Sequence, residues 1–364
     1  VIGMGELAIA CGGTGGHLFP GLAVAEAVRR RGHDVSFFIS SKAVDRRALK
    51  GAGEERFGIE IPAVGWSGVL GAGNFAIHFV SAVRKAGDEL RKRNVKALLG
   101  MGGFISGATT VASRLANIPY FLHESNAIPG RATRLLAKGA KQVFVGFAEC
   151  ESGLGDVKAT VSGTPVRGRL GRMEKEVALK KLGLHPHRRL VAVLGGSQGA
   201  RGLNEAMVRG LGALKSEAQH LQILHLAGEA HVEKVRRAYE GTGFHAVVMG
   251  FCDEMEAVYA AAEVVVARSG AGTLAELAAC EVPAILVPFP AAAGDHQMAN
   301  ARAYSLEGAA EVVAEKYLIG TELGQRIARL LADPSRCERM RHWAKGQQKP
   351  QAAEKIAEVI SREL

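Results

Sequence analysis

With 364 residues, 48% of them hydrophobic and 23% charged, the chain has room for two domains with cores of their own, which excludes a disordered or fibrous class. The net charge of +10 is uneven: residues 1–150 hold 19 Lys and Arg against 11 Asp and Glu, so a basic surface is expected in the first half, suited to nucleic acid, an anionic membrane face or a phosphorylated substrate. Five scattered cysteines without a CxxC pair argue against a disulfide framework or zinc site and fit a reducing cytosol; no signal peptide is expected before the first apolar run, and no run reaches the roughly 18 residues of a membrane span.

Residues 7–10 form a short apolar run that stops at a glycine cluster carrying Thr14 and His17. Pro20 is then expected to open an amphipathic helix with Leu22, Ala25 and Val28 on one face. In such a strand, tight loop and helix, glycines let backbone N–H groups approach a ligand, and the helix N-terminus favours negative charge, so a phosphate or diphosphate is the natural guest. His17 reads either as a satisfied loop histidine or as a titratable group beside an anion site.

Further short apolar runs follow at residues 34–40, 96–100, 119–124 and 142–146, with helical patterns between them, the signature of a parallel sheet covered on both faces. Within residues 75–93, Phe75, Phe79, Val83, Ala86 and Leu90 make one core stripe, whereas Ile77 and Val80 lie off it near Arg84 and Lys85, after the apolar loop that begins at Trp66. That edge reads as a membrane-docking surface or, as the simpler expectation, part of a thick core helix.

Residues 161–172 are rich in Gly, Pro and Arg with little periodicity, and a new helical pattern starts near Met173, so the domains are expected to be 1–162 and 163–342, with a C-terminal helix over 343–364 packing back on the first. The second half restarts with a strand, a second GG[ST]xG loop and a helix; Gly195, Gly196 and Ser197 echo Gly12, Gly13 and Thr14. Two such domains imply a cleft into which both loops point. Apolar runs follow at residues 221–228, 245–251, 264–267 and 282–290. Thr273 and Glu276 have the spacing of a capping box, the structural alternative to a carboxylate that bridges ribose hydroxyls. Asp295 is expected to cap a helix that presents His296, Gln297 and Asn300 to a hydroxyl-rich ligand.

The segments GGTGGHLFPGLAVAEAV, LGMGGFISG, HESN, GTPVR, GGSQGARGLN, RSGAGTLAE and VPFPAAAGDHQMANA occur in the order and approximate spacing of the bacterial cell-wall glycosyltransferases that convert lipid I to lipid II, and the chain resembles that family from about Leu7 to near its C-terminus. The resemblance implies an α/β fold of two facing Rossmann-like domains, the GT-B type. It implies UDP-N-acetylglucosamine as donor, undecaprenyl-diphosphate-N-acetylmuramoyl pentapeptide as acceptor, and a β-1,4 linkage made with inversion at the cytoplasmic face of the membrane, among wall-building protein partners. By resemblance, Thr14, Gly15 and Gly16 reach the donor, Asn126 lies near the sugar, Arg167 near the diphosphate, and Ser197 contacts phosphate or uridine. Ala271, Gly272, Thr273, Leu274, Ala275 and Glu276 form the nucleotide pocket with Glu276 on the ribose, Gln297 is a further donor contact, and Cys252 stands where the family uses a backbone contact to uracil. The chain departs from the family at Ser125, where Gln is usual, which puts a hydrogen bond near the acceptor in question, and at Thr164, where Asn is common.

Displacement at the anomeric carbon needs a base for the acceptor hydroxyl and stabilisation of the leaving UDP. Glycine loops and helix N-termini can supply the latter, and the chain has no DxD-like carboxylate pair after a strand, so a metal-free mechanism without cofactor is expected, with His17 as base or orienting group and Glu124 as runner-up. A glycolipid-forming transferase or a UDP-N-acetylglucosamine 2-epimerase would share the second pocket. A NAD-dependent oxidoreductase would need GxGxxG and an acidic residue closing the next strand, where this chain has Ser40 and Ser41. Nucleic-acid binding is disfavoured because aromatics are only 5% of the chain and no basic stripe interleaves with them.

Overall fold

The computed structural model describes residues 5–13, 15–61, 68–196 and 199–364, without the side chains of residues 44, 56 and 68–74. Contacts divide the chain into one unit of Val1–Arg167 with Lys349–Leu364 and a second of Gly168–Gln348. The divisions fall a few residues after the expected 162/163 and 342/343.

The first unit runs β1 (Glu6–Ala10), α1 (Gly15–Arg30), β2 (Asp34–Ser40), α2 (Ala43–Gly51), β3 (Gly58–Ile61), α3 (Gly68–Lys92), β4 (Val95–Gly100), α4 (Gly103–Leu115), β5 (Tyr120–Glu124), α5 (Arg131–Leu136), β6 (Gln142–Val145) and β7 (Ala159–Val161). All seven strands are parallel, in the order β3-β2-β1-β4-β5-β6-β7. Because both sheet faces are covered, β1 carries no polar alternation. Leu7 and Ile9 pack with Val35, Phe37 and Leu99 beneath α1, while Ala8 and Ala10 face Phe38, Leu98 and Leu122 beneath α3 and α4. The C-terminal helix (Ala352–Ile360) returns to this unit and inserts Ile356, Ala357 and Ile360 into the α1 side of its core.

Pro20 does not open α1. The helix starts five residues earlier, at Gly15, and Pro20 lies inside it. A proline there removes the bond to the carbonyl four residues back, that of Gly16 in the first turn. Ile77 and Val80 of α3 are 69% and 52% exposed, so the expected thick core helix gives way to one that buries Ala82, Ala86 and Leu90 and leaves its second apolar edge in solvent. Trp66 lies outside the described residues.

The second unit runs α6 (Lys175–Lys181), β8 (Arg189–Leu194), α7 (Arg201–Gly210), β9 (Leu221–Leu226), α8 (Val232–Tyr239), β10 (His245–Met249), α9 (Met255–Ala261), β11 (Val264–Ala267), α10 (Ala271–Ala279), β12 (Ala284–Leu286), α11 (His296–Ser305), β13 (Ala310–Val312), α12 (Glu322–Leu331) and α13 (Pro334–Gly346). Its six parallel strands are ordered β10-β9-β8-β11-β12-β13. In both units the strand order reverses beside the first strand, between β1 and β4 and between β8 and β11. Helices leave neighbouring strands for opposite faces at such points, which opens a crevice at the carboxyl ends of the strands.

Candidate active site

At the β1/β4 crevice of the first unit, His17 sits in the first turn of α1, rather than in the loop before it. It lies against the turn after β4, where Gly102 and Gly103 adopt φ of 105° and 77°. A Cβ on Gly102 would lie 3.0 Å from His17 Nε2, and one on Gly103 would lie 3.2 Å from Nδ1. The positive φ values and the bare backbone together make room for the imidazole. Thr14 lies outside the described residues; Gly15 is buried and Gly16 exposed.

The next strand ends in the HESN segment. His123 is fully buried; its Nε2 faces the Gly163 carbonyl at 3.0 Å and its Nδ1 the Ser125 hydroxyl at 3.3 Å. The ring therefore donates from Nε2 and accepts at Nδ1. Burial lowers its pKa and outweighs the opposing pulls of the Gly163 carbonyl and Glu124. Ser125, the departure from the family pattern, makes this internal bond and is itself buried.

Glu124 is buried beneath the loop that follows. Its Oε1 accepts from the backbone N–H of Asn126 at 3.1 Å and from Asn126 Nδ2 at 2.9 Å, and its Oε2 accepts from the Gly130 N–H and the Thr133 hydroxyl, both at 2.9 Å. With four donors on two oxygens the carboxylate is built to hold residues 126–133, and its lone pairs are engaged, which favours His17 over Glu124 as a base. Arg167 ends the first segment of this unit with its guanidinium carbon 4.8 Å from the centroid of Phe19, two residues after His17. Its Nε is buried without a hydrogen-bond partner among the described residues.

In the second unit, α10 begins beside the β8/β11 crevice with Gly270 as its N-cap. Thr273 and Glu276 are thus both inside the helix, and the capping-box reading fails. Glu276 instead accepts a 2.8 Å hydrogen bond from the hydroxyl of Tyr259, a buried residue of α9. Ala271 and Leu274 are buried, while Gly272, Thr273, Ala275 and Glu276 remain partly accessible. Ser197 lies outside the described residues. Directly after β11 comes Arg268, which the sequence reading did not single out. Its Nη1 donates to the carbonyls of Val287 at 3.0 Å and Pro288 at 3.2 Å, and its Nη2 pairs with Glu315. A lone arginine closing the apolar run 264–267 was the available signal.

Asp295 occupies the N-cap of α11 in a left-handed conformation and makes no side-chain cap bond. Asn300 is fully buried and donates to the Ser269 carbonyl at 3.2 Å, so it fastens α11 to the turn before α10 rather than facing a ligand. The Ser269 hydroxyl bonds the Gln297 carbonyl at 2.8 Å, and the Gln297 side-chain oxygen accepts from the Phe289 N–H at 3.0 Å, which orients its amide. Cys252 is buried after β10, and burial raises its thiol pKa, so a backbone role there requires nothing of the sulfur.

Residues 7–145 match the glycosyltransferase family 28 N-terminal domain, and residues 190–356 match its C-terminal domain. A UDP-N-acetylglucosamine–N-acetylmuramyl-(pentapeptide) pyrophosphoryl-undecaprenol N-acetylglucosamine transferase from Halorhodospira halophila is 40% identical over 356 residues, covering 97% of each chain. The protein of the same name from Halothermothrix orenii is 34% identical, covering 98% of each. Among solved structures, Acinetobacter baumannii MurG aligns over 99% of both chains with a TM-score of 0.73 at 26% identity. A Listeria monocytogenes structure described as a UDP-N-acetylglucosamine 2-epimerase aligns with a TM-score of 0.72 over 98% of this chain and 95% of its own, but at 13% identity it shares the fold alone.

Proposed function

The chain belongs to glycosyltransferase family 28, and on that premise we propose that it moves N-acetylglucosamine from UDP-N-acetylglucosamine to the 4-hydroxyl of N-acetylmuramoyl-pentapeptide diphosphoryl-undecaprenol, lipid I, to make lipid II. The observation that carries this reading is 40% identity, spread over 97% of both chains, to a transferase named for that reaction.

The donor belongs to the second unit. Glu276, oriented by Tyr259, accepts from the ribose hydroxyls; Gln297 contacts the sugar; and the backbone at Cys252 meets the uracil. The N-terminal turn of α10, with Ala271, Gly272, Thr273, Leu274 and Ala275, and Ser197 of the second glycine loop serve the nucleotide and its diphosphate. The acceptor belongs to the first unit, with Asn126 near the reacting sugar and Arg167 toward a diphosphate, while Thr14, Gly15 and Gly16 of the first glycine loop reach the donor. The acceptor hydroxyl oxygen attacks the anomeric carbon, the bond from that carbon to the UDP oxygen breaks, and the electron pair leaves with UDP. The hydroxyl proton passes to His17, and attack opposite the leaving group inverts the configuration.

The same reading puts the protein at the cytoplasmic face of the membrane as a peripheral protein among wall-synthesis partners. No helix of the described residues is long and apolar enough to cross a membrane. Ile77, Val80 and Arg84 follow one another at helical spacing on α3, all exposed, with Lys85 beside them, which suits an anionic lipid surface. Transfer of labelled sugar from UDP-N-acetylglucosamine to a lipid I analogue tests the proposal; a folded protein that binds UDP but makes no disaccharide product would sink it.

A further inference from the structure

Asp45, in the first turn of α2, is fully buried beside the first glycine loop. Its Oδ2 accepts three hydrogen bonds: from the Gly13 N–H at 2.7 Å, the Ser40 N–H at 3.0 Å and the Ser40 hydroxyl at 2.5 Å. Its Oδ1 is buried without a hydrogen-bond partner among the described residues. The Lys42 ammonium donates to the Gly13 carbonyl at 3.2 Å, so the turn after β2 and the first turn of α2 together hold both polar groups of Gly13. The loop also lies directly on the end of β2: a Cβ on Gly12 would come within 2.3 Å of the Ser40 nitrogen. Gly13 itself has φ of 109°, open to glycine and strained for other residues.

A buried carboxylate is expensive to desolvate, and three donors on one oxygen are the compensation. The fully buried thiol of Cys11, the residue after β1, has its pKa raised by burial first and by the neighbouring Asp45 second. Other folds of this kind place an acidic residue at the end of the second strand for a ribose. Here the acidic group comes five residues later and is turned inward onto the loop.

We propose that Asp45 is a positioning residue for the transfer reaction: by holding the Gly13 amide it fixes the loop that leads into the first turn of α1, and thereby sets His17 against Gly102 and Gly103. The inference rests on the proposed transfer reaction. A displacement of about 1 Å at a reacting group is enough to cost on the order of 10²-fold in rate, so a distant brace of this kind has leverage on turnover.

Steady-state transfer to a lipid I analogue, with UDP titration alongside, compares three variants of the full chain. Asp45→Ala removes the brace and should lower kcat at least tenfold while leaving UDP affinity unchanged. Asp45→Asn keeps an oxygen acceptor without the charge and should recover only part of the loss, leaving kcat about three- to fivefold below the parent. Ser40→Ala loses one bond to Asp45 but leaves the Asp45–Gly13 bond intact and should stay within twofold. Should Asp45→Ala fail to fold, the ordering of Asp45→Asn below Ser40→Ala still decides. The proposal is overturned if Asp45→Ala turns over like the parent, or if Ser40→Ala loses as much kcat as Asp45→Asn, since the effect would then be one of general stability. A parent protein that binds UDP yet transfers no sugar would instead refute the transferase reading.

Discussion

The Tyr259 hydroxyl donates a 2.8 Å hydrogen bond to the Glu276 carboxylate, joining a fully packed residue of α9 to a partly accessible one of α10. The bond fixes the direction in which Glu276 can offer an oxygen to a ligand. Glu276→Ala should weaken UDP binding at least tenfold by calorimetric titration. Tyr259→Phe, which keeps the packing and removes only the orienting bond, should weaken it severalfold. Loss of thermal stability with intact UDP affinity in Glu276→Ala would assign the residue to the scaffold.

His17 lies where a side chain on either Gly102 or Gly103 would press on its ring. His17→Ala should lower kcat at least tenfold, within the 10²- to 10⁴-fold range of general base catalysis or somewhat below it, and leave UDP affinity unchanged. An unchanged kcat with a raised acceptor KM would restrict His17 to positioning lipid I. Gly102→Ala and Gly103→Ala should each impair turnover as well, through strain at positive φ and crowding of the imidazole.

Stability should fall in acid because of His225. This residue is buried on β9, with Nδ1 2.9 Å from the Tyr239 hydroxyl and Nε2 3.0 Å from Asn204 Oδ1, and burial lowers its pKa from 6.5 to about 4. The unfolded chain therefore binds the extra proton between those two values. Stability from this group is fully present above pH 6.5 and declines as the pH falls through about 4, by about 3 kcal/mol in all. Urea unfolding at a series of pH values should show this slope, and His225→Gln should flatten it while lowering stability at neutral pH.

If α3 docks on lipid, the protein should bind vesicles containing anionic lipid and release them as salt rises, because exposed charges are screened over about 8 Å at physiological ionic strength. Replacing Ile77 and Val80 with Ser, or Arg84 and Lys85 with Glu, should weaken vesicle binding while transfer to a short-chain soluble acceptor persists. Equal binding of the parent to neutral and anionic vesicles would remove electrostatics from the docking.

The sequence by itself determined the two parallel sheets, because a strand buried on both faces must be written as a nearly unbroken apolar run and its crossover helix as a 3.6-residue pattern. Residues 34–40 and 264–267 coincide with β2 and β11. Less legible were β3, β7 and β13, strands of four, three and three residues at sheet edges, too short to carry a period. The glycine loops were visible as composition, yet the start of α1 was misplaced, since Pro20 is a local signal for a helix start and packing extended the helix back to Gly15. Only the tertiary structure decided which polar side chains serve the scaffold. Asn300, His123 and Asp45 look as available for chemistry in the sequence as Gln297 and Glu276 do. Their burial and partners follow from how separate strands and helices meet, over separations that no local pattern encodes.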